Sequence, residues 1–145
     1  MQQKTTIELT EYIDAAHHLP DTVSLTTKKC LNLHGHTYGI RMKVEAEKLI
    51  DGFVVDFGTL KELVNRLDHA TIVWDMDTDL LDYLKKTNSK HFVLPYPPTA
   101  ENIAHGIFDM LEEHLPLNCT VLSVSVEEGT KPGKNGWNTY EVKPQ

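Results

Sequence analysis

Two histidines flank a glycine in Cys30-Leu31-Asn32-Leu33-His34-Gly35-His36, and a cysteine stands four residues before the first of them. In a strand, side chains alternate across the sheet, so His34 and His36 share a face. Their Cβ atoms then lie about 6.6 Å apart along the chain. Two imidazoles can converge from that spacing on one metal, at about 2.0–2.1 Å per zinc–nitrogen bond. Gly35 points the other way, adds no bulk and admits a close neighbour. His17, in Asp14-Ala15-Ala16-His17-His18, closes the preceding strand-like run and is the natural third ligand. Three neutral imidazoles leave a fourth position open, the layout of a catalytic rather than a structural zinc. A lone His-x-His pair is more often two half-exposed strand residues; His17 and Cys30 tip the balance towards a metal. A structural Cys/His site is the intermediate case, weakened because neither cysteine belongs to a Cys-x-x-Cys pair.

Three further stretches carry chemistry beside a bland reading. Cys30 is either an idle thiol or, following Lys28-Lys29, a thiol whose thiolate is favoured by nearby positive charge. Its position suits a base beside the metal better than a fourth ligand. Asp68-His69 is either a helix-end pair favouring the helix dipole or a turn in which the carboxylate fixes its neighbour's tautomer. Glu128 is either a solvated strand end or a carboxylate able to accept two parallel bonds from a flat N–H/NH₂ edge. Glu127, one place off, faces oppositely.

These residues need elements to position them. Residues 5–16 read as a strand and 19–33, with Pro20, Asp21 and Ser24, as a loop that returns Cys30 towards that strand's end. Residues 34–46 alternate well, with Tyr38, Ile40, Met42 and Val44 on one parity, and predict a long antiparallel partner. Asp51-Gly52 marks a turn. Leu60, Leu63, Val64 and Leu67 sit at helical spacing, with Asp56 or Thr59 as N-cap. Residues 70–97 hold one stretch compatible with a short helix, DMDTDLLDYLKKT, and a proline-rich passage, LPYPPT. Thr99 caps a second helix running to about His114, and strands follow over 119–127 and 136–143. The order, ββααββ, predicts an α+β fold: a four-stranded antiparallel sheet with two helices on one face. The other sheet face is expected to be apolar enough to be buried by self-association.

A length of 145 residues suits one domain, 1–145. Lys plus Arg is 14 and Asp plus Glu 21, a net charge of −7, which argues against a nucleic-acid surface. No apolar run approaches the roughly 18 residues of a membrane span. The N-terminus lacks a basic and apolar leader, and two cysteines of different setting fit reduced thiols, so a cytoplasmic location is expected.

Ala15-Ala16-His17, Cys30-x-x-x-His34-Gly35-His36, Gly52-Phe53-Val54-Val55-Asp56-Phe57, Leu67-Asp68-His69, Pro98-Thr99-Ala100-Glu101-Asn102 and Val126-Glu127-Glu128 occur in this order. Together they resemble the 6-pyruvoyl-tetrahydropterin synthase family, most of all its bacterial 6-carboxy-tetrahydropterin synthase branch of queuosine biosynthesis. The resemblance covers nearly the whole chain. It implies the tunnelling fold, with sheets joined edge to edge into a barrel in trimers, commonly paired into hexamers, and active sites at subunit interfaces. It implies Zn2+ on His17, His34 and His36. It also implies a proton-transfer set of Cys30, Asp68 and His69 drawn from two subunits, and a pterin anchor at Glu128. The implied substrate is 7,8-dihydroneopterin triphosphate. The alternatives are the pyruvoyl product of the biopterin pathway and a non-catalytic pterin- or metal-binding module. Three residues separate Cys30 from His34, whereas pyruvoyl-forming animal relatives use a longer gap; this favours the carboxy product with acetaldehyde release. In many relatives an Arg follows the zinc-binding histidine. His18 stands there instead, which leaves phosphate to others such as Lys28, Lys29 or Lys131.

Overall fold

The computed structural model describes residues 3–20, 28–129 and 131–143. The loop expected over 19–33 therefore lies partly outside the described residues. Its last part is a short 3-10 turn, Lys28–Leu31, rather than open coil.

Two long strands, β1 (Thr5–His17) and β2 (His34–Ala46), pair antiparallel along their whole length, from Thr5 opposite Ala46 to His17 opposite His34. Helix α1 (Phe57–Val64) follows, capped by the Asp56 carboxylate, which accepts from the Gly58 N–H at 2.6 Å. Residues 70–97 carry the short helix that their sequence allows and two strands that it does not announce: β3 (Ala70–Trp74), α2 (Thr78–Lys86) and β4 (His91–Leu94). Helix α3 (Ala100–His114) begins at the predicted Thr99 cap, whose hydroxyl accepts from the Asn102 N–H at 3.2 Å. Strands β5 (Cys119–Gly129) and β6 (Trp137–Glu141) complete the chain.

Among the described residues the fold is α+β, but the sheet has six strands, ordered β4-β3-β1-β2-β5-β6, with three α-helices rather than two. It is mixed, not antiparallel throughout: β3 lies parallel to β1 and to β4. The runs ATIVW and HFVL escape the alternation rule because they are short and largely apolar, and α2 supplies the crossover that parallel neighbours require.

The core lies between the sheet and helices α1 and α3. Tyr38, Ile40, Met42 and Val44 all point there, fully buried, and meet Ile103, Ile107, Phe108 and Leu111 of α3. Strand β5 does not alternate cleanly as its sequence suggests. Leu122 is an extra residue between the Val44–Val121 and Lys43–Ser123 pairs, so Val121, Val124 and Val126 all reach the core despite their mixed parity.

The opposite face corrects a second expectation. It presents Thr6, Glu8, Thr10, Arg41, Lys43 and Ser125, and is polar rather than apolar. Arg41 lies 3.4 Å from Glu8 and its guanidinium stands 4.1 Å from the Trp137 ring. Among the described residues, no helix is long and apolar enough to cross a membrane.

Candidate metal centre and active site

The β1–β2 register does what neither strand's sequence can do alone. It sets His17 directly opposite His34 and Ala15 opposite His36, so all three imidazoles gather at one end of the core face. Their nearest ring nitrogens lie within 4.8 Å of one another. His17 is 1 % exposed and His34 and His36 are half-buried.

Two backbone carbonyls settle the tautomers. His17 Nδ1 is 2.7 Å from the Pro98 oxygen, and His34 Nδ1 is 2.6 Å from the Asn32 oxygen. A carbonyl only accepts, so each Nδ1 carries the proton and each Nε2 is left with a lone pair. Those two Nε2 atoms face each other at 3.2 Å. Two lone pairs at that distance repel unless a cation lies between them. Two ligands on a tetrahedral ion, each about 2.05 Å away, stand about 3.3 Å apart, close to what is found. His36 adds the second observation: both of its ring nitrogens are buried without a hydrogen-bond partner. Buried polar atoms in that state ask for one. The residues present fit a bound cation, with the Pro98 and Asn32 carbonyls orienting two of its ligands. Burial is the main reason that the His17 pKa drops to about 4, with His34, His36 and His18 adding to it and the Pro98 bond opposing it. His36 is likewise lowered, first by burial and then by His34. Neutral imidazole is the form that binds metal.

Glu128 lies beside this cluster. It is opposite Tyr38 in the β2–β5 ladder, on the histidine face, and its Oε1 is 3.4 Å from His36 Nε2. That is an ion-pair distance without hydrogen-bond alignment, since His36 Nε2 counts as unpartnered. Burial pushes the Glu128 carboxyl up, opposed by His34 and aided by Glu101. Glu127 faces the other way, as its parity predicts, but it is no solvated strand end. It is wholly buried, and its two oxygens accept from the Gly133 and Asn135 N–H groups at 2.7 and 2.9 Å.

Asp68 and His69 form a corner stapled to Asp14 of β1. Asp68 Oδ1 accepts from the Asp14 N–H at 3.0 Å, and the His69 N–H donates to the Asp14 carbonyl at 2.6 Å. The other Asp68 oxygen is 3.1 Å from His69 Nδ1, which leaves Nε2 facing outwards. The Asp14 N–H is the largest cause holding the Asp68 carboxyl below the usual range; His69 and Lys90 assist. His69 sits at φ 59, the left-handed region that non-glycine residues seldom enter. Its side chain is 78 % exposed and borders an open cleft of about 600 Å³, shared with Asp14, Ala16, His36, Thr37 and Gly129.

Cys30 is half-buried in the 3-10 turn, and its carbonyl accepts from the Leu19 N–H at 2.9 Å. This ties the thiol-bearing turn to the chain just beyond His17, yet its sulfur is not among the atoms that converge with the histidines. No hydrogen bond within the chain joins Asp68 or His69 to Cys30 or to the triad, among the described residues. His18 is engaged elsewhere: its Nε2 lies 2.5 Å from Asp77 Oδ2. Gly35 is crowded only by the Ala15 carbonyl, 3.4 Å from where a Cβ would sit.

The sequence profile of the 6-pyruvoyl tetrahydropterin synthase family matches residues 6–141. The chain belongs to that family. A protein from Haemophilus influenzae named 6-carboxy-5,6,7,8-tetrahydropterin synthase is 36% identical over 96 residues, 58% of this chain and 68% of its own. One from Pyrococcus abyssi, provisionally given the same name, is 32% identical across 98% of this chain and 94% of its own. Among solved structures, the 6-pyruvoyl tetrahydropterin synthase of Caenorhabditis elegans superposes with a TM-score of 0.63 at 27% identity, covering 98% of both chains.

Side chains alone did not announce the whole site. Pro98 and Asn32 act through backbone oxygens, which leave no side-chain signature. Tyr38 reads as one more core residue on the parity of Ile40 and Met42.

Proposed function

We propose that this chain is a zinc-dependent lyase that converts 7,8-dihydroneopterin triphosphate to 6-carboxy-5,6,7,8-tetrahydropterin, releasing acetaldehyde and triphosphate, in queuosine (7-deazaguanine) biosynthesis. The observation that carries the reading is the triad of His17, His34 and His36, with facing lone pairs and an unpartnered His36, beside the Glu128 carboxylate. The names of the relatives support the carboxy branch.

His17, His34 and His36 would hold the zinc, which would supply Lewis acidity towards the hydroxyls of the substrate side chain. Glu128 accepts two parallel hydrogen bonds from the amino and ring N–H edge of the pterin, fixing the ring relative to the triad. Cys30 takes a carbon-bound proton of the substrate side chain. Asp68 holds His69 in one tautomer, and His69 passes protons at its free Nε2. Following the family's pattern, a neighbouring subunit supplies the Asp68–His69 corner in a trimer or hexamer. The polar open face and two strand edges, β4 and β6, suit such a ring. Exposed Lys28, Lys29 and Lys131 are candidates to meet the triphosphate.

Mass spectrometry of the product tests the reading. The expected outcome is the 6-carboxy product with stoichiometric acetaldehyde, abolished by a chelator and restored by zinc. A pyruvoyl product without acetaldehyde selects the other branch, and no turnover with zinc present leaves a binding module.

A further inference from the structure

We propose that Tyr38 is a substrate-binding residue whose hydroxyl donates to an acceptor of the pterin ring, next to the edge that Glu128 takes. The inference rests on the pterin reading above and sharpens it.

Tyr38 is fully buried, yet its hydroxyl has no hydrogen-bond partner among the described residues. Most buried phenols find a partner, since an unpaired one is destabilising. A phenylalanine would fill the same core position without that penalty.

The location says which partner fits. Tyr38 is directly opposite Glu128, on the same face, where facing Cβ atoms lie about 4.5–5.5 Å apart. Its ring stands edge-on to His17 at 5.8 Å and to His36 at 5.5 Å. Two imidazoles of the triad thus flank the hydroxyl-bearing ring, and Glu128 stands opposite it in the ladder.

The ligand chemistry matches this placement. A 2-amino-4-oxo ring presents an amino group and a ring N–H side by side, and acceptors flank that pair: the 4-oxo oxygen next to the N–H, a ring nitrogen next to the amino group. A carboxylate that takes the two donors brings an acceptor towards any donor standing beside it. Glu128 only accepts and cannot serve that atom. The Tyr38 hydroxyl, on the residue opposite Glu128, has a hydrogen to give.

Tyr38→Phe removes the hydroxyl alone. Its effect is read on the zinc-loaded protein with neopterin, an oxidised and unreactive pterin followed by its own fluorescence. The expected result is a roughly 5–30-fold weaker Kd, unchanged zinc content, and a melting temperature of the free protein equal to or above wild type. An unchanged Kd with a lowered melting temperature overturns the proposal, because the hydroxyl then serves only the fold. Glu128→Ala separates the two levels. If it weakens neopterin binding while Tyr38→Phe does not, Tyr38 is wrong and the pterin site stands. If neopterin does not bind wild type, or binds Glu128→Ala undiminished, the pterin site fails and takes this inference with it.

Discussion

Glu127 and Glu128 are adjacent carboxylates whose truncation should do opposite things. In Glu127→Ala a fully buried carboxylate is lost, and with it the bonds from the Gly133 N–H at 2.7 Å and the Asn135 N–H at 2.9 Å. Hydrogen bonds to a charged group contribute about 1.5–3 kcal/mol each. Part is recovered, because the carboxylate no longer has to be desolvated and the loop amides can turn to water. A net loss of about 2–4 kcal/mol remains, or roughly 5–15 °C in melting temperature for a chain of this size. The substitution also opens the packing at Gly39, where a Cβ would already meet Trp137 at 2.9 Å and a Glu127 oxygen at 3.1 Å. Urea and thermal unfolding at one fixed protein concentration measure the loss, and neopterin titration measures affinity. Glu127→Gln, which keeps one acceptor, should fall between wild type and alanine. Glu128→Ala should weaken neopterin binding by about 1–3 kcal/mol without loss of stability, since burial already disfavours its charge. A Glu127→Ala protein that melts with wild type would refute the reasoning, as would equal losses of neopterin affinity in the two variants.

Cys30→Ala should keep its zinc and its melting temperature but lose about 10²–10⁴-fold in turnover, the usual share of a positioned base. Loss of zinc together with activity would make Cys30 a ligand, and the catalytic reading would fall. His34→Ala should lose most bound zinc by metal analysis; full occupancy there, and in His17→Ala and His36→Ala, removes the site. Zinc-free protein should weaken in acid. His17 takes its proton only near pH 4 when folded but near 6.5 when unfolded. Its contribution is therefore complete above pH 6.5 and is lost as pH falls from 6.5 to about 4, in total about 3 kcal/mol. Denaturant midpoints at several pH values, compared with His17→Gln, check this; the same slope in both proteins would acquit His17.

What the sequence determined by itself was local. Period-two alternation put His34, His36, Tyr38 and Glu128 on the core face and Glu127 on the other, because strand side chains alternate whatever lies across from them. The Thr99 cap was readable for the same reason: it acts within one turn of its own helix. Everything that depends on distance along the chain was decided by the tertiary structure. His17 meets His34 only because thirteen β1 residues pair in one register with β2. The strands Ala70–Trp74 and His91–Leu94 pair parallel to their neighbours, so neither hairpin turns nor alternation marked them. The bulge at Leu122 shifted parity mid-strand because strand pairing, not composition, chose it. Whether a carboxylate or a phenol is buried, and what it bonds there, depends on segments that arrive from elsewhere. The Gly133–Asn135 turn folds over Glu127, and α3 and the Pro98 carbonyl close over Tyr38 and His17.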